Sequence, residues 1–153
     1  RQGNWLEGIR ALRKELGKLG VDLGNATIVD GSGLSLLNRV TPRTFVGALR
    51  VGLDSFQLGP EFVASMPIAE RDGTLEKRLQ GGAGRIRAKT GLIGDAAVTS
   101  LSGYVERADG ETLIFSILVN GYSGSSGVAI DAVDRLARTL LEAPLPAHHT
   151  ASR

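Results

Sequence analysis

Apolar side chains recur at helical spacing through the first twenty residues. Trp5, Ile9, Leu12, Leu16 and Leu19 step by four, three, four and three, which lays one stripe along a helix of about four turns. Gly20 can close that helix in the left-handed conformation. "ATIV" at 26–29 reads as a short strand running into the turn "DGSG". "TPRTFVGALRVGL" places Thr41 as N-cap and Pro42 at the first helical position. The second helix should therefore turn Phe45, Val46, Leu49 and Leu53 inward. Shorter helical pieces are expected at 61–66 and 74–80.

At Arg85 the period changes from helical to alternating. "RIRAKTG" alternates, and "AAVTSLSGYVERADGETLIFSILVNG" supplies two strands joined at the hairpin signal "ADGE". After the loop "GYSGSSG", the segment "VAIDAVDRLARTLLE" puts Val133, Leu136, Leu140 and Leu141 on one helical face. Helices at both ends with strands gathered in the second half predict an α+β fold, not a parallel βαβ repeat. The expected architecture is an antiparallel meander of at least three strands covered by the N- and C-terminal helices, with Trp5 and Leu140 buried. No internal repeat or linker divides residues 1–143, and the Pro/Ala/Ser-rich stretch 144–153 is expected to be a disordered tail.

Composition removes several kinds of chemistry. The 153 residues are 42% hydrophobic and 22% charged, enough for one domain with its own core. Without cysteine there are no disulfides, thiol nucleophiles or thiolate zinc sites. Both histidines, His148 and His149, fall in the tail. A Ser-His-Asp triad or a histidine metal site would need an imidazole held in the folded body, so lysine or carboxylate is the expected proton-handling group. Asp54, Glu61, Asp72 and Glu76 show no ligand spacing and read as solvated charge; neither metal nor cofactor is implied. A net charge of +2 is too mild to indicate nucleic acid. No apolar run approaches the ~20 residues of a membrane span. The sequence opens with neither a methionine nor a signal peptide, which suggests a mature product or an excised piece.

The densest chemistry lies in "GGAGRIRAKTGLIGDA", residues 81–96. A phosphate-binding loop would need glycine immediately before the lysine and again five residues earlier, but Ala88 and Ala83 stand there. "GYSGSSG" likewise has no adjoining cation and reads as a flexible loop. In "DGSGLS", Asp30 and Ser32 tie the turn together. Ser32 and Ser35 are not nucleophiles, because no lysine or histidine is spaced to activate them. Lys89-Thr90-Gly91 can be an edge-strand charge followed by a bend, or a functional tripeptide. Arg85 and Arg87 share the strand face of Lys89, either as solvated cations or as an attractor for anionic peptide.

Lys-Thr-Gly is one of three motifs of penicillin-binding proteins and β-lactamases, beside Ser-x-x-Lys and Ser-Asp-Asn. "IVDGSGLSLLNRVTP", followed some fifty residues on by "RAKTGLIGDAAVTSLSGYVERADGETLIFSILVNG", resembles the C-terminal part of D-alanyl-D-alanine carboxypeptidases of the penicillin-binding protein 4 type (serine peptidase family S13). The resemblance runs from about Trp5 to the last helix. It departs from the family in one respect: no serine has lysine three residues later or asparagine two residues later. The resemblance thus implies a fragment of a β-lactamase-like transpeptidase domain whose nucleophile lies upstream.

That resemblance implies a set of roles. The substrate would be a peptidoglycan peptide ending in D-Ala-D-Ala, and β-lactams would bind the complete enzyme. Thr90 would offer its hydroxyl to the terminal carboxylate, and Lys89 would supply positive potential and keep a neighbouring lysine neutral. Gly91 would leave room for the peptide to add along the strand edge. The backbone N–H of Leu92 would form half of the oxyanion hole, and Leu34 would be the apolar contact of the "DGSG" turn. The location would be the bacterial cell envelope, outside the cytoplasm. Two readings follow: the C-terminal part of a serine D,D-carboxypeptidase or endopeptidase, or a non-catalytic peptidoglycan- or protein-binding module that keeps the sheet.

Overall fold

The computed structural model describes residues 3–142, so the 144–153 tail with both histidines lies outside the described residues. Four helices and three strands follow in the order α1 (Trp5–Lys18), α2 (Pro42–Asp54), α3 (Gly59–Ala64), β1 (Ile86–Ile93), β2 (Val98–Glu106), β3 (Thr112–Asn120) and α4 (Ser126–Thr139). The strands form one antiparallel meander, β1-β2-β3. Its register sets Lys89 opposite Ser102, Thr90 opposite Leu101 and Gly91 opposite Ser100, and continues from Leu101 to Ile117 and from Ser102 to Ser116. The expected α+β class and the hairpin are present, with the turn at 107–111 closed by an Arg107 N–H to Glu111 carbonyl bond of 2.8 Å.

Period-two alternation gives the sheet two apolar faces. On one, Ile86, Ala88, Leu101, Val105 and Phe115 meet Val133 and Ala137 of α4 and Leu75 and Leu79 of the preceding loop. On the other, Tyr104 packs with Leu49 of α2 and Met66. β2 is buried from both sides, so its glycine at 103 is a packing requirement: a Cβ there would run into the backbone of Arg87 and Ala88 on β1.

Several expectations are corrected. The helices covering the sheet are α2 and α4; α1 has no buried residue, and Trp5 is 73% exposed. The stripe on α1 is real, but only Ile9, Arg13 and Leu16 turn partly inward, where Arg13 donates to the Ala26 carbonyl at 2.8 Å. In α2, Leu49 is buried while Phe45 and Leu53 are exposed. In α4 the inward line is Ala129, Val133 and Ala137, which leaves Leu136 exposed and Leu140 partly buried against the core. "ATIV" makes a single bridge, Thr27 to Arg39, instead of a strand. The helix expected at 74–80 is a 3-10 turn at Gly73–Leu75, because the chain adopts left-handed backbone at Glu70, Gly73, Leu79 and Gly81.

Tyr104 joins the two layers. Its phenol donates to the Leu49 carbonyl at 2.7 Å in a buried contact, and desolvation, with Asp54 adding repulsion, pushes its pKa up to about 12. Tyr104→Phe is expected to cost about 0.5–1.5 kcal/mol in urea denaturation. A phenol raised in the folded state stabilises fully below its unfolded pKa near 10 and loses that contribution as pH rises through 12. The Phe variant should therefore show a smaller alkaline loss of stability over that window.

Candidate active site

β1 is an edge strand, and its outer side is covered only at its start. Ala69 N–H donates to the Ile86 carbonyl at 2.9 Å, and Ala88 N–H to the Pro67 carbonyl at 3.1 Å. Even-numbered residues of β1 therefore direct their backbone groups outward, while odd-numbered ones bond to β2. By the same alternation, Thr90 and Leu92 turn their N–H and C=O groups toward the outer edge, beyond the end of the covering segment. Such an edge can accept an extended peptide as a further strand.

The side chains of the tripeptide divide between the two faces. Lys89 is exposed on the face of Arg87, Ser100 and Ser102, and its ammonium folds back to donate to the Thr90 carbonyl at 2.6 Å. Thr90 lies on the α4 face, half-buried, and its hydroxyl donates to Thr74 Oγ1 at 3.0 Å. A Cβ at Gly91 would meet Ser100 Oγ on the neighbouring strand, a contact that rotation of the serine hydroxyl relieves. Leu92 is exposed, with its backbone at the edge. Lys89, Thr90, Gly91 and Leu92 are thus contiguous along one open edge. Leu34 is 69% exposed in its turn, and no described contact brings it to β1.

Arg85 and Arg87 are both half-buried. Arg87 lines an open cleft of about 320 Å³ with Leu53, Gly59, Pro60, Val63 and Ala64.

Thr74 was not legible as a partner of Thr90, being sixteen residues away with no spacing signal. Its position depends on the 67–84 loop, which is held by the buried Leu75 and Leu79 and by a bidentate pair from Arg78 to Asp134 of α4, at 3.0 and 2.6 Å. Both side chains of that pair are mostly buried, so α4 indirectly fixes the hydroxyl facing Thr90.

The "DGSG" turn is tied by Asp30, as its residue types suggest. The carboxylate accepts from Ser32 Oγ at 3.0 Å, the N–H groups of Gly33 and Ser35 at 3.1 and 3.2 Å, and Asn38 Nδ2 at 2.8 Å. These bonds, that from Asn38 foremost, hold the Asp30 pKa below its ordinary value. Asn38 carries no sequence signal as a partner because it lies eight residues on; its side-chain Oδ1 also accepts from Val29 N–H at 2.9 Å. Among the described residues, no group of three or more acidic, histidine or cysteine side chains converges as a metal site would require, and no helix is long and apolar enough to cross a membrane.

The chain is 40% identical over 147 residues to a D-alanyl-D-alanine carboxypeptidase of Actinomadura sp. (strain R39), covering 92% of this chain and 26% of that protein. It superposes on the crystal structure of penicillin binding protein 4 from Haemophilus influenzae with a TM-score of 0.79 and 28% identity, covering 92% of this chain and 33% of that one. A representative class A β-lactamase from Bacteroides cellulosilyticus shares the fold, with a TM-score of 0.60 at 17% identity. The chain spans about a quarter to a third of the length of the curated relatives it matches. The model of the D-Ala-D-Ala carboxypeptidase 3 (S13) family matches residues 1–140, and the chain belongs to that family.

Proposed function

We propose that this chain supplies the Lys-Thr-Gly strand of a serine D-alanyl-D-alanine carboxypeptidase or endopeptidase, residues 1–143 being the C-terminal part of its penicillin-binding domain. The observation carrying this reading is the open edge at Lys89–Leu92, bearing a cation, a hydroxyl and outward N–H groups within four residues. A stem peptide ending in D-Ala-D-Ala would add along this edge. Thr90 would hold its terminal carboxylate by a charge-assisted hydrogen bond after exchanging its present partner, Thr74. A serine from a part of the polypeptide outside this chain would attack the penultimate carbonyl. The resulting oxyanion would sit between that serine's N–H and the N–H of Leu92. Collapse would expel the terminal D-alanine and leave an acyl-enzyme, which water hydrolyses. Such a protein would work in the bacterial cell envelope outside the cytoplasm and would be acylated by β-lactams. Penicillin binding protein 4 from Haemophilus influenzae, on which this chain superposes, has been crystallised in complex with a β-lactam, which supports this reading.

Acylation tests the reading. This chain alone should gain no mass on incubation with penicillin, because no serine in it has a lysine three residues on; the longer polypeptide carrying the serine should gain one β-lactam. In that polypeptide, Thr90→Val should lower kcat/KM toward a D-Ala-D-Ala peptide by about 10- to 100-fold, matching one hydrogen bond to a charged group of ~1.5–3 kcal/mol. A stable adduct on Ser32 or Ser35 of the isolated chain would overturn the assignment. A longer polypeptide that binds peptidoglycan without acylation would favour the non-catalytic module.

A further inference from the structure

We infer that Thr74 is a positioning residue for the substrate, aiming the Thr90 hydroxyl at the peptide's terminal carboxylate by reversing the hydrogen bond between the two side chains. The inference rests on the reading of Thr90 given above. Thr90 Oγ1 donates to Thr74 Oγ1 at 3.0 Å. A hydroxyl has one proton and two lone pairs, so the single donor of Thr90 is committed to Thr74.

Binding a carboxylate turns that proton toward the substrate. If Thr90 acted alone, it would trade one acceptor for another and gain only the difference between them. With Thr74 in place the two oxygens need not move: the Thr74 hydroxyl rotates its own proton onto Thr90 Oγ1, and the 3.0 Å contact persists with donor and acceptor exchanged. Thr90 then accepts from Thr74 while donating to the carboxylate, and a hydroxyl that accepts one bond is a stronger donor in the next. The same contact holds the Thr90 side chain in one rotamer before the peptide arrives, so less freedom is lost on binding.

The segment carrying Thr74 is fixed independently of that hydroxyl. Thr74 is exposed, but Leu75 beside it is fully buried. Gly73 before it has φ of +53°, and a Cβ there would sit 3.1 Å from Pro67 Cγ. Asp72 Oδ1 accepts from Ile68 N–H at 2.7 Å, the Leu75 carbonyl accepts from Glu70 N–H at 3.0 Å, and Glu70 Oε1 accepts from Gly81 N–H at 3.1 Å. Glu70 and Leu79 have φ of 59° and 58°, a left-handed backbone that a residue with a side chain keeps only where its surroundings over-determine it. Pro67 and Ala69 of the same segment cover β1 as far as Ala88, which puts Thr74 where the covered edge gives way to the open one at Thr90.

Turnover of a D-Ala-D-Ala peptide by the longer polypeptide tests the inference, with Thr74→Val and Thr90→Val made singly and together. Thr74→Val should lower kcat/KM by about 3- to 10-fold, the loss of one neutral hydrogen bond, with Tm unchanged because the pair is exposed. Thr74→Ser keeps the hydroxyl and should restore the rate to within about twofold of wild type. In the Thr90→Val background, where no hydroxyl is left to aim, Thr74→Val should cost less than about twofold. A wild-type rate for Thr74→Val, with Thr90→Val still impaired, would overturn the inference and leave the proposed function standing. An equal loss from Thr74→Val in both backgrounds, or no rescue by serine, would also overturn it, since Thr74 would then act without Thr90 or through the loop. A wild-type rate for Thr90→Val, or no turnover by the unmodified longer polypeptide, would remove the proposed function and this inference with it.

Discussion

Lys89→Ala, made in the polypeptide that carries the nucleophilic serine, is expected to lower kcat/KM toward a D-Ala-D-Ala peptide by about two to three orders of magnitude, the loss typical when one preorganised electrostatic group is removed from an acyl-transfer site. The ammonium stands at an exposed edge position and reaches the Thr90 carbonyl at 2.6 Å, so it lies within one residue of the hydroxyl proposed to hold the carboxylate. Its removal would take away positive potential at the substrate's anionic end. It would also remove the like-charge repulsion proposed to keep a neighbouring lysine neutral enough to act as base. Folding should be little affected, because an exposed lysine contributes little to the core. Hydrolysis rates and a melting curve for the same variant check both parts. A near wild-type rate at unchanged Tm would reduce the tripeptide to a strand end. Lys89→Arg would keep the charge but not its compact shape, and recovery of less than the full rate would show that position matters as well as sign.

Leu101→Ala is expected to destabilise the isolated chain by about 2–5 kcal/mol, a large part of the ~5–15 kcal/mol that holds a domain together. Leu101 is 0% exposed on the central strand, pairs with Thr90 on one side and Ile117 on the other, and belongs to the cluster with Ile86, Val105, Phe115 and Val133. Truncation would leave a cavity between sheet and α4, bounded by strands that cannot collapse without breaking register. Leu101→Met, which conserves volume, should cost less than about 1.5 kcal/mol. Urea denaturation with an unchanged slope measures the difference. A loss below 1 kcal/mol for the alanine variant would mean that the sheet and α4 do not form one cooperative core. Because Leu101 lies directly behind Thr90, the same variant in the longer polypeptide should loosen the edge and raise KM before activity is lost through unfolding.

What the sequence determined by itself is mostly local. Thr41 and Pro42 start α2 because a hydroxyl at the N-cap and a fixed φ at the first position are short-range effects, and Thr41 Oγ1 does accept from Thr44 N–H at 3.2 Å. The hairpin at 107–111 and the alternation of β2 and β3 are legible for the same reason. So was the tripeptide on the first strand, since a motif of three contiguous residues needs no fold to be seen. Periodicity established that α1 has an apolar stripe, but a stripe says only that a partner exists, not which one. Periodicity alone therefore places Trp5 on the sheet, whereas α2 and α4 cover it. The left-handed residues at 70, 73, 79 and 81 broke a helix that propensity alone favours. Only the tertiary structure set Thr74 against Thr90, Ser100 over Gly91 and Asn38 on Asp30, because each joins residues between eight and sixteen positions apart. It also decided that β1 is an edge whose outward backbone groups open at Thr90. Edge or centre is a property of strand order, and strand order follows from which apolar faces can be buried together, not from any one strand's own residues.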